Sequence, residues 1–178
     1  MTCRETAAKV HGVEPTQIIA TNGGDELLRL AFTAFCDPRG VNGEPGGVGV
    51  AEPSYSLYPV LADIHDTKIT RVPLDEMFGV TPDFAHRVME VKCKLAILVN
   101  PHAPSGRLES IDTLRAIAKA LAGKAVLLID EAYVDFAQRD AIELVRGGSG
   151  LDNVLLLRSL SKGYSLAGLR FGYGIGTP

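Results

Sequence analysis

The stretch LAILVNPHAPSGRLESIDTLRAIAKALAGKAVLLIDE, residues 95–131, decides the fold. Leu95-Ala96-Ile97-Leu98-Val99 is continuously apolar, the pattern of a strand buried on both faces, and Asn100-Pro101 stops it. Ser110 stands where a helix needs an N-cap. Ile111, Leu114, Ala118 and Leu121 then recur at helical spacing, and Gly123 supplies the C-terminal stop. Val126-Leu127-Leu128-Ile129 is a second buried strand, closed by Asp130-Glu131. Apolar strands alternating with helical patterns predict an α/β fold with a mostly parallel sheet between layers of helix.

The same alternation extends outward. Toward the N-terminus, Val48-Gly49-Val50-Ala51 reads as a strand closed by Pro53. Residues 40–47 hold four glycines and a proline and read as a loop. Residues 25–35 read as a helix, with Leu27, Leu28, Leu30, Ala31, Ala34 and Phe35 forming a wide apolar arc, ended by Asp37-Pro38-Arg39-Gly40. Gln17-Ile18-Ile19-Ala20 is a short extended run. Toward the C-terminus, Val154-Leu155-Leu156-Leu157 is a third buried strand, leading into Arg158-Ser159-Leu160-Ser161-Lys162, and residues 169–175 read as one more strand. The sequence contains no internal repeat, low-complexity tract or interdomain linker.

Composition narrows the classes of function. The 178 residues are one domain or slightly more, nearly half apolar and about a fifth charged, as in a soluble globular protein. No apolar run approaches the ~20 residues of a membrane span. Met1-Thr2-Cys3-Arg4-Glu5 lacks the basic-then-apolar pattern of a secretory signal. A formal charge of −3 gives no electrostatic footprint for nucleic acid. Cys3, Cys36 and Cys93 form no C-x-x-C pair, which fits a reducing, cytoplasmic setting. His11, His65, His86 and His102 are scattered and match no metal-binding spacing, so no metal site is expected.

Three of the buried strands end in polar clusters: Asn100, Asp130-Glu131, and Ser159 to Lys162. Ligands of open α/β sheets bind beyond the carboxyl ends of the strands. If these strands are parallel neighbours, an acid, a lysine and hydroxyls meet in one crevice. Thr21-Asn22-Gly23-Gly24-Asp25-Glu26 opens a helix, and is either a phosphate cradle or an ordinary helix start. Asp130 follows four apolar residues, so its carboxylate is desolvated and calls for a cationic partner. One such partner is a protonated pyridine nitrogen. An ATPase acid shows the same pattern but needs G-x-x-x-x-G-K-[ST], which is absent. A lone lysine is ordinarily a surface group. Placed beside Asp130 and partly desolvated, Lys162 gains a depressed pKa and a nucleophilic amine. Arg170 can grip a phosphate through two parallel hydrogen bonds. Tyr55 and Tyr58 either meet a planar ring, supply a hydroxyl or pack at a strand end. The run Gly172-Tyr173-Gly174-Ile175-Gly176 lacks the spacing of a dinucleotide loop.

In order along the chain, TNGGDELLRLAF, PSYSLY, LVNPHAPSGRL, LLIDEAYVDF and RSLSKGYSLAGLRFGYG resemble the motifs of the fold-type I pyridoxal 5'-phosphate (PLP) aminotransferases of class I/II. The histidinol-phosphate aminotransferase group is the nearest in motif. The five motifs run from residue 21 to 174. The resemblance implies a three-layer α-β-α architecture, the incomplete large domain of a PLP-dependent transferase. It implies Gly23, Gly24 and Asp25 at the cofactor phosphate and Tyr55 against the pyridine ring. It implies Asp130 at the ring nitrogen and Tyr133 at the phenolic oxygen. Ser161 or the nearby Ser159 would hold the phosphate with Arg170, and Lys162 would hold the cofactor covalently.

Two departures accompany the resemblance. The family's N-P-T-G reads Ala103-Pro104-Ser105-Gly106, so the Asn that meets the phenolic oxygen is replaced by Ala103. Family members are also considerably longer. Residues 1–178 are therefore expected to form a partial PLP-binding domain, without the N-terminal segment and the C-terminal small domain that supplies a substrate-binding arginine. The implied substrates are an amino donor and a 2-oxo acid, and the implied assembly is a homodimer. Threonine-phosphate decarboxylases carry much of the same motif set, and a non-catalytic PLP-binding remnant is a third reading.

Overall fold

The structure is a computed structural model and describes residues 1–38 and 46–177. Most of the loop expected over residues 40–47 lies outside the described residues, as do Arg39 and Gly40. Seven strands form one mixed sheet: β1 (Ile18–Thr21), β2 (Val48–Glu52), β3 (Ile69–Pro73), β4 (Leu95–Val99), β5 (Val126–Asp130), β6 (Val154–Ser159) and β7 (Gly172–Gly176). Their spatial order is β1-β7-β6-β5-β4-β2-β3. β3, β2, β4, β5 and β6 are joined by parallel pairings, whereas β7 runs antiparallel to both β6 and β1. The sheet is thus mostly parallel, as the strand–helix alternation predicts.

Helices cover both faces. α2 (Gly24–Phe35) and α3 (Leu57–Ile64) pack with Leu95, Ile97, Leu128 and Leu157 on one side. α1 (Cys3–His11), α4 (Phe84–Glu90) and α5 (Ile111–Leu121) pack with Ala96, Leu98, Leu127, Ile129 and Leu156 on the other. The alternation along β4 and β5 follows from the two-residue period of a strand and requires apolar residues at every position. Ser110 caps α5 by accepting a hydrogen bond from the Thr113 amide at 3.0 Å, and Gly123 follows at φ +69°.

Two readings need correction. α2 buries Leu27, Leu28, Ala31 and Phe32, while Leu30, Ala34 and Phe35 are exposed. The helix meets the sheet along a narrower i, i+1, i+4, i+5 stripe than the expected arc, and Leu30 and Ala34 turn off it. The last strand begins at Gly172, not at residue 169. Ala167–Leu169 form a 3-10 turn and Arg170 is left-handed at φ +54°. The ladder starts only where the chain can lie against Gly23 and Gly24. A Cβ on Gly172 would come within 2.6 Å of the Gly23 carbonyl carbon.

Candidate active site

The strand order makes β4, β5 and β6 adjacent and parallel, so the polar clusters at their carboxyl ends meet. They open onto a cavity of about 530 Å3, within the usual range for a small-molecule site. Asp130 and Lys162 line it from the ends of β5 and β6, Gly24 and Asp25 from the start of α2, and Arg170 from the turn before β7. Tyr55, Tyr133, Ser159 and Ser161 line it as well. Gly23 stands behind this wall, at φ +83°, where a Cβ would run into the Arg170 guanidinium. The glycine therefore lets the guanidinium lie against the backbone, and any other residue there is strained in backbone and would push the arginine tip aside.

Asp130 is 5% exposed, at the cavity floor. The Ala132 amide donates to its Oδ1 at 3.0 Å and the Tyr58 hydroxyl donates to its Oδ2 at 2.7 Å. Burial raises the Asp130 pKa, and these two hydrogen bonds act against that shift. Tyr58 itself is fully buried in α3, and burial followed by the neighbouring carboxylate pushes its pKa well above 10. Tyr58, Leu61 and Ala62 form the buried face of α3 at i, i+3, i+4 spacing, which is how a helix on the sheet surface delivers a phenol to a strand end.

The cavity wall at the start of α2 carries both charges. Arg170 Nη1 donates to the Ala167 carbonyl at 3.1 Å, and Nη2 lies 3.9 Å from Asp25 Oδ2. The Tyr55 hydroxyl reaches Asp25 Oδ1 at 3.4 Å, and its ring stands edge-on to Tyr58 with centroids 5.7 Å apart. Burial, then Asp25, raises the Tyr55 pKa. The Ser161 amide donates to Ser159 Oγ at 3.1 Å, which closes the turn after β6.

Lys162 departs from expectation. Its residue is exposed rather than partly desolvated, and its Nζ lies 5.2 Å from the centre of the Tyr133 ring. The turn that carries it projects beyond the sheet, with Tyr164 and Leu169 also exposed. Ala103 lines the cavity at the position of the family's Asn. Asn100 does not take over that role. It is buried, and its Oδ1 accepts from the Glu109 amide at 2.8 Å. His102 anchors the same turn through Nε2 to the Pro53 carbonyl and Nδ1 to Ser105 Oγ, both at 2.7 Å. Because a carbonyl only accepts, Nε2 carries the hydrogen; a neutral ring then takes the Ser105 hydroxyl hydrogen at Nδ1.

Tyr58 is the site residue whose role sequence reasoning missed. The available signal was a buried acid and a phenol on the apolar face of a helix, each in need of a hydrogen-bond partner. Among the described residues no group of three or more His, Cys, Asp or Glu side chains is placed to hold a metal ion. No described helix is long and apolar enough to cross a membrane.

A family model described as aminotransferase class I and II matches residues 2–178. Histidinol-phosphate aminotransferase 1 of Trichormus variabilis is 40% identical over 176 residues, covering 98% of this chain and 46% of that protein. The histidinol-phosphate aminotransferase of Citrifermentans bemidjiense is 39% identical, with the same two shares covered. The crystal structure of the Sinorhizobium meliloti histidinol-phosphate aminotransferase in complex with pyridoxal-5'-phosphate superposes with a TM-score of 0.86 at 28% identity. That match covers 98% of this chain and 46% of that one. The chain thus spans a little under half the length of these relatives.

Proposed function

The chain belongs to the class I and II aminotransferase family, and from that premise we propose that it binds pyridoxal 5'-phosphate and contributes the cofactor site of an amino-acid or amino-phosphate transaminase. One observation carries the reading. Asp130, Lys162 and Arg170 come from three separate segments and line a single cavity.

The residues fit a flat, phosphorylated pyridine. Asp130 is a buried carboxylate whose hydrogen-bond donors are a neutral phenol and an amide, so a ring N–H⁺ supplies the countercharge that burial calls for. The Gly23 position, where a Cβ would displace Arg170, frees the guanidinium to serve a phosphate at the start of α2. Gly24, Asp25, Ser159 and Ser161 complete that end, Tyr55 would lie against the ring, and Tyr133 would donate to its phenolic oxygen. When bound, the cofactor supplies an electron sink for the pair released at the amino acid's α-carbon.

The protein's part is to orient and to move protons. Lys162 would hold the cofactor, and its freed amine would take the α-proton and return it on the other side of the exchange. Asp130 would keep the ring nitrogen protonated, and Tyr58 would keep Asp130 ionised and aimed. Ala103 leaves the phenolic oxygen to Tyr133. Relatives at about 40% identity carry the name histidinol-phosphate aminotransferase, which favours an imidazole-bearing phosphate ester with a 2-oxo acid as co-substrate, in histidine biosynthesis. Residues 1–178 would be the PLP-binding part of a longer homodimeric protein, whose remaining length would supply the substrate-carboxylate arginine.

Titration of the chain with PLP, followed by visible absorbance, tests the reading. Saturable binding is expected in the wild type, strongly weakened in Arg170→Ala, with the lysine-dependent absorbance lost in Lys162→Ala. Identical spectra and affinity in all three chains would overturn it.

A further inference from the structure

Asp130 and Glu131 are sequence neighbours that face opposite sides of the sheet. Asp130 meets the cavity. Glu131 enters the layer containing α1, α4 and α5, where it is 0% exposed. Its Oε1 accepts from the Ala141 amide at 2.8 Å, and its Oε2 lies 2.8 Å from Arg158 Nε. Arg158 and Ser159 divide in the same way at the end of β6. Ser159 lines the cavity, whereas Arg158 is buried behind the sheet and its Nη2 donates to Asp140 Oδ2 at 3.0 Å.

The place of this ion pair matters. The register of β5 with β6 ends at Asp130 and Leu157, and the Glu131 amide donates to the Leu157 carbonyl at 3.0 Å. From there β6 continues through Arg158 and Ser159, which pair with Tyr173 and Gly172 of β7. The Glu131–Arg158 contact therefore takes over where the backbone ladder between the two site-bearing strands stops. A buried ion pair is a weak source of stability, because desolvation offsets most of the attraction. Burial pushes Glu131 up to about 7 in spite of the guanidinium beside it. What the pair does supply is a fixed distance between two strand ends.

We propose that Glu131 and Arg158 are positioning residues, whose ion pair, braced by Asp140, fixes the separation between Asp130 on β5 and the Ser159–Lys162 turn after β6. What the clamp positions rests on the function proposed above, while the clamp itself is measurable without cofactor. Hydrogen exchange at single amides, read by NMR on the 178-residue chain, separates local from global effects. In Glu131→Gln, exchange at Glu131, Ala132 and Ser161 is expected to rise about ten-fold, with Ile97, Leu128 and Leu156 unchanged. The PLP dissociation constant should rise with it.

A Glu131→Leu/Arg158→Met double variant removes both charges together and guards against misfolding from one unpaired buried charge. It should keep the central protection and lose that of the strand ends. A uniform rise across the sheet, or unchanged exchange at the strand ends, would overturn the clamp. Loosened strand ends with unchanged PLP affinity would overturn the positioning role. A wild-type chain that takes no PLP, with its strand ends loosening in the variants, would overturn the cofactor reading and leave the clamp standing.

Discussion

Replacing Tyr58 by phenylalanine removes one hydroxyl from a fully buried ring and leaves its packing in place. That hydroxyl donates to Asp130 Oδ2 at 2.7 Å, and the Ala132 amide is the other donor described for this carboxylate. A hydrogen bond to a buried charged group contributes roughly 1.5–3 kcal/mol. Its loss raises the Asp130 pKa further, beyond the rise that burial already causes, because the Tyr58 hydroxyl favours the ionised form. The cost depends on pH. A carboxyl whose folded pKa lies above its unfolded value destabilises the fold when ionised, so its stabilising contribution is full at low pH and is lost as pH rises through the folded pKa. Tyr58→Phe should therefore cost its full roughly 1.5–3 kcal/mol at pH 8 and much less once Asp130 is protonated. Urea unfolding from pH 8 to pH 5, with carboxyl-labelled aspartate followed by NMR, measures both quantities. An equal loss of stability at every pH, or an unmoved Asp130 titration, would refute the reasoning.

The other predictions concern separate parts of the site. Gly23→Ala should destabilise the chain by roughly 1–2 kcal/mol, because the positive φ of +83° opposes a Cβ, and thermal unfolding measures it. Arg170→Lys should weaken PLP binding measurably at unchanged stability, because an ammonium cannot make the paired contact, and equilibrium titration reads the change. The raised Glu131 pKa predicts stability that is present at low pH and falls as pH rises through about 7. That fall should vanish in Glu131→Gln when unfolding is compared at several pH values. Burial, with Arg158 next, lowers His11 to about 4 and gives the opposite slope over part of this window, so the difference between the two chains is the quantity to read. Ser110→Ala should cost about 1 kcal/mol through loss of the α5 cap, checked by urea unfolding.

The strands at 95–99, 126–129 and 154–157 were legible because a doubly buried strand leaves its mark at every position, with no polar residue to break the run. Their parallel adjacency then placed Asp130 and the Ser159–Lys162 turn together. Much else left a weaker mark. β3 mixes Thr70 and Arg71 into a half-exposed edge strand, and α4 has only seven residues, too few for a periodic signal. The close approach of β7 to the start of α2 depends on glycines, a property of contact rather than of sequence period. Leu169 and Phe171 gave residues 169–175 a strand-like composition, but the left-handed Arg170 interrupts the chain there. The exposure of Lys162 was invisible too, because β6 fixes where its turn begins and leaves open what packs around it. Tyr58 was weighed as one of two site tyrosines without a role, since only the docking of α3 on the sheet decides which phenol reaches Asp130.

The central claim is that Lys162 is the covalent anchor of a pyridoxal phosphate site. Mixing the chain with PLP, reducing with borohydride and mapping the modified peptide by mass spectrometry addresses that lysine directly among all the lysines of the chain. The expected result is a pyridoxyl group on Lys162, lost when Lys162 is replaced by alanine. No adduct, or an adduct spread over the other lysines with Lys162 unmodified, would contradict it.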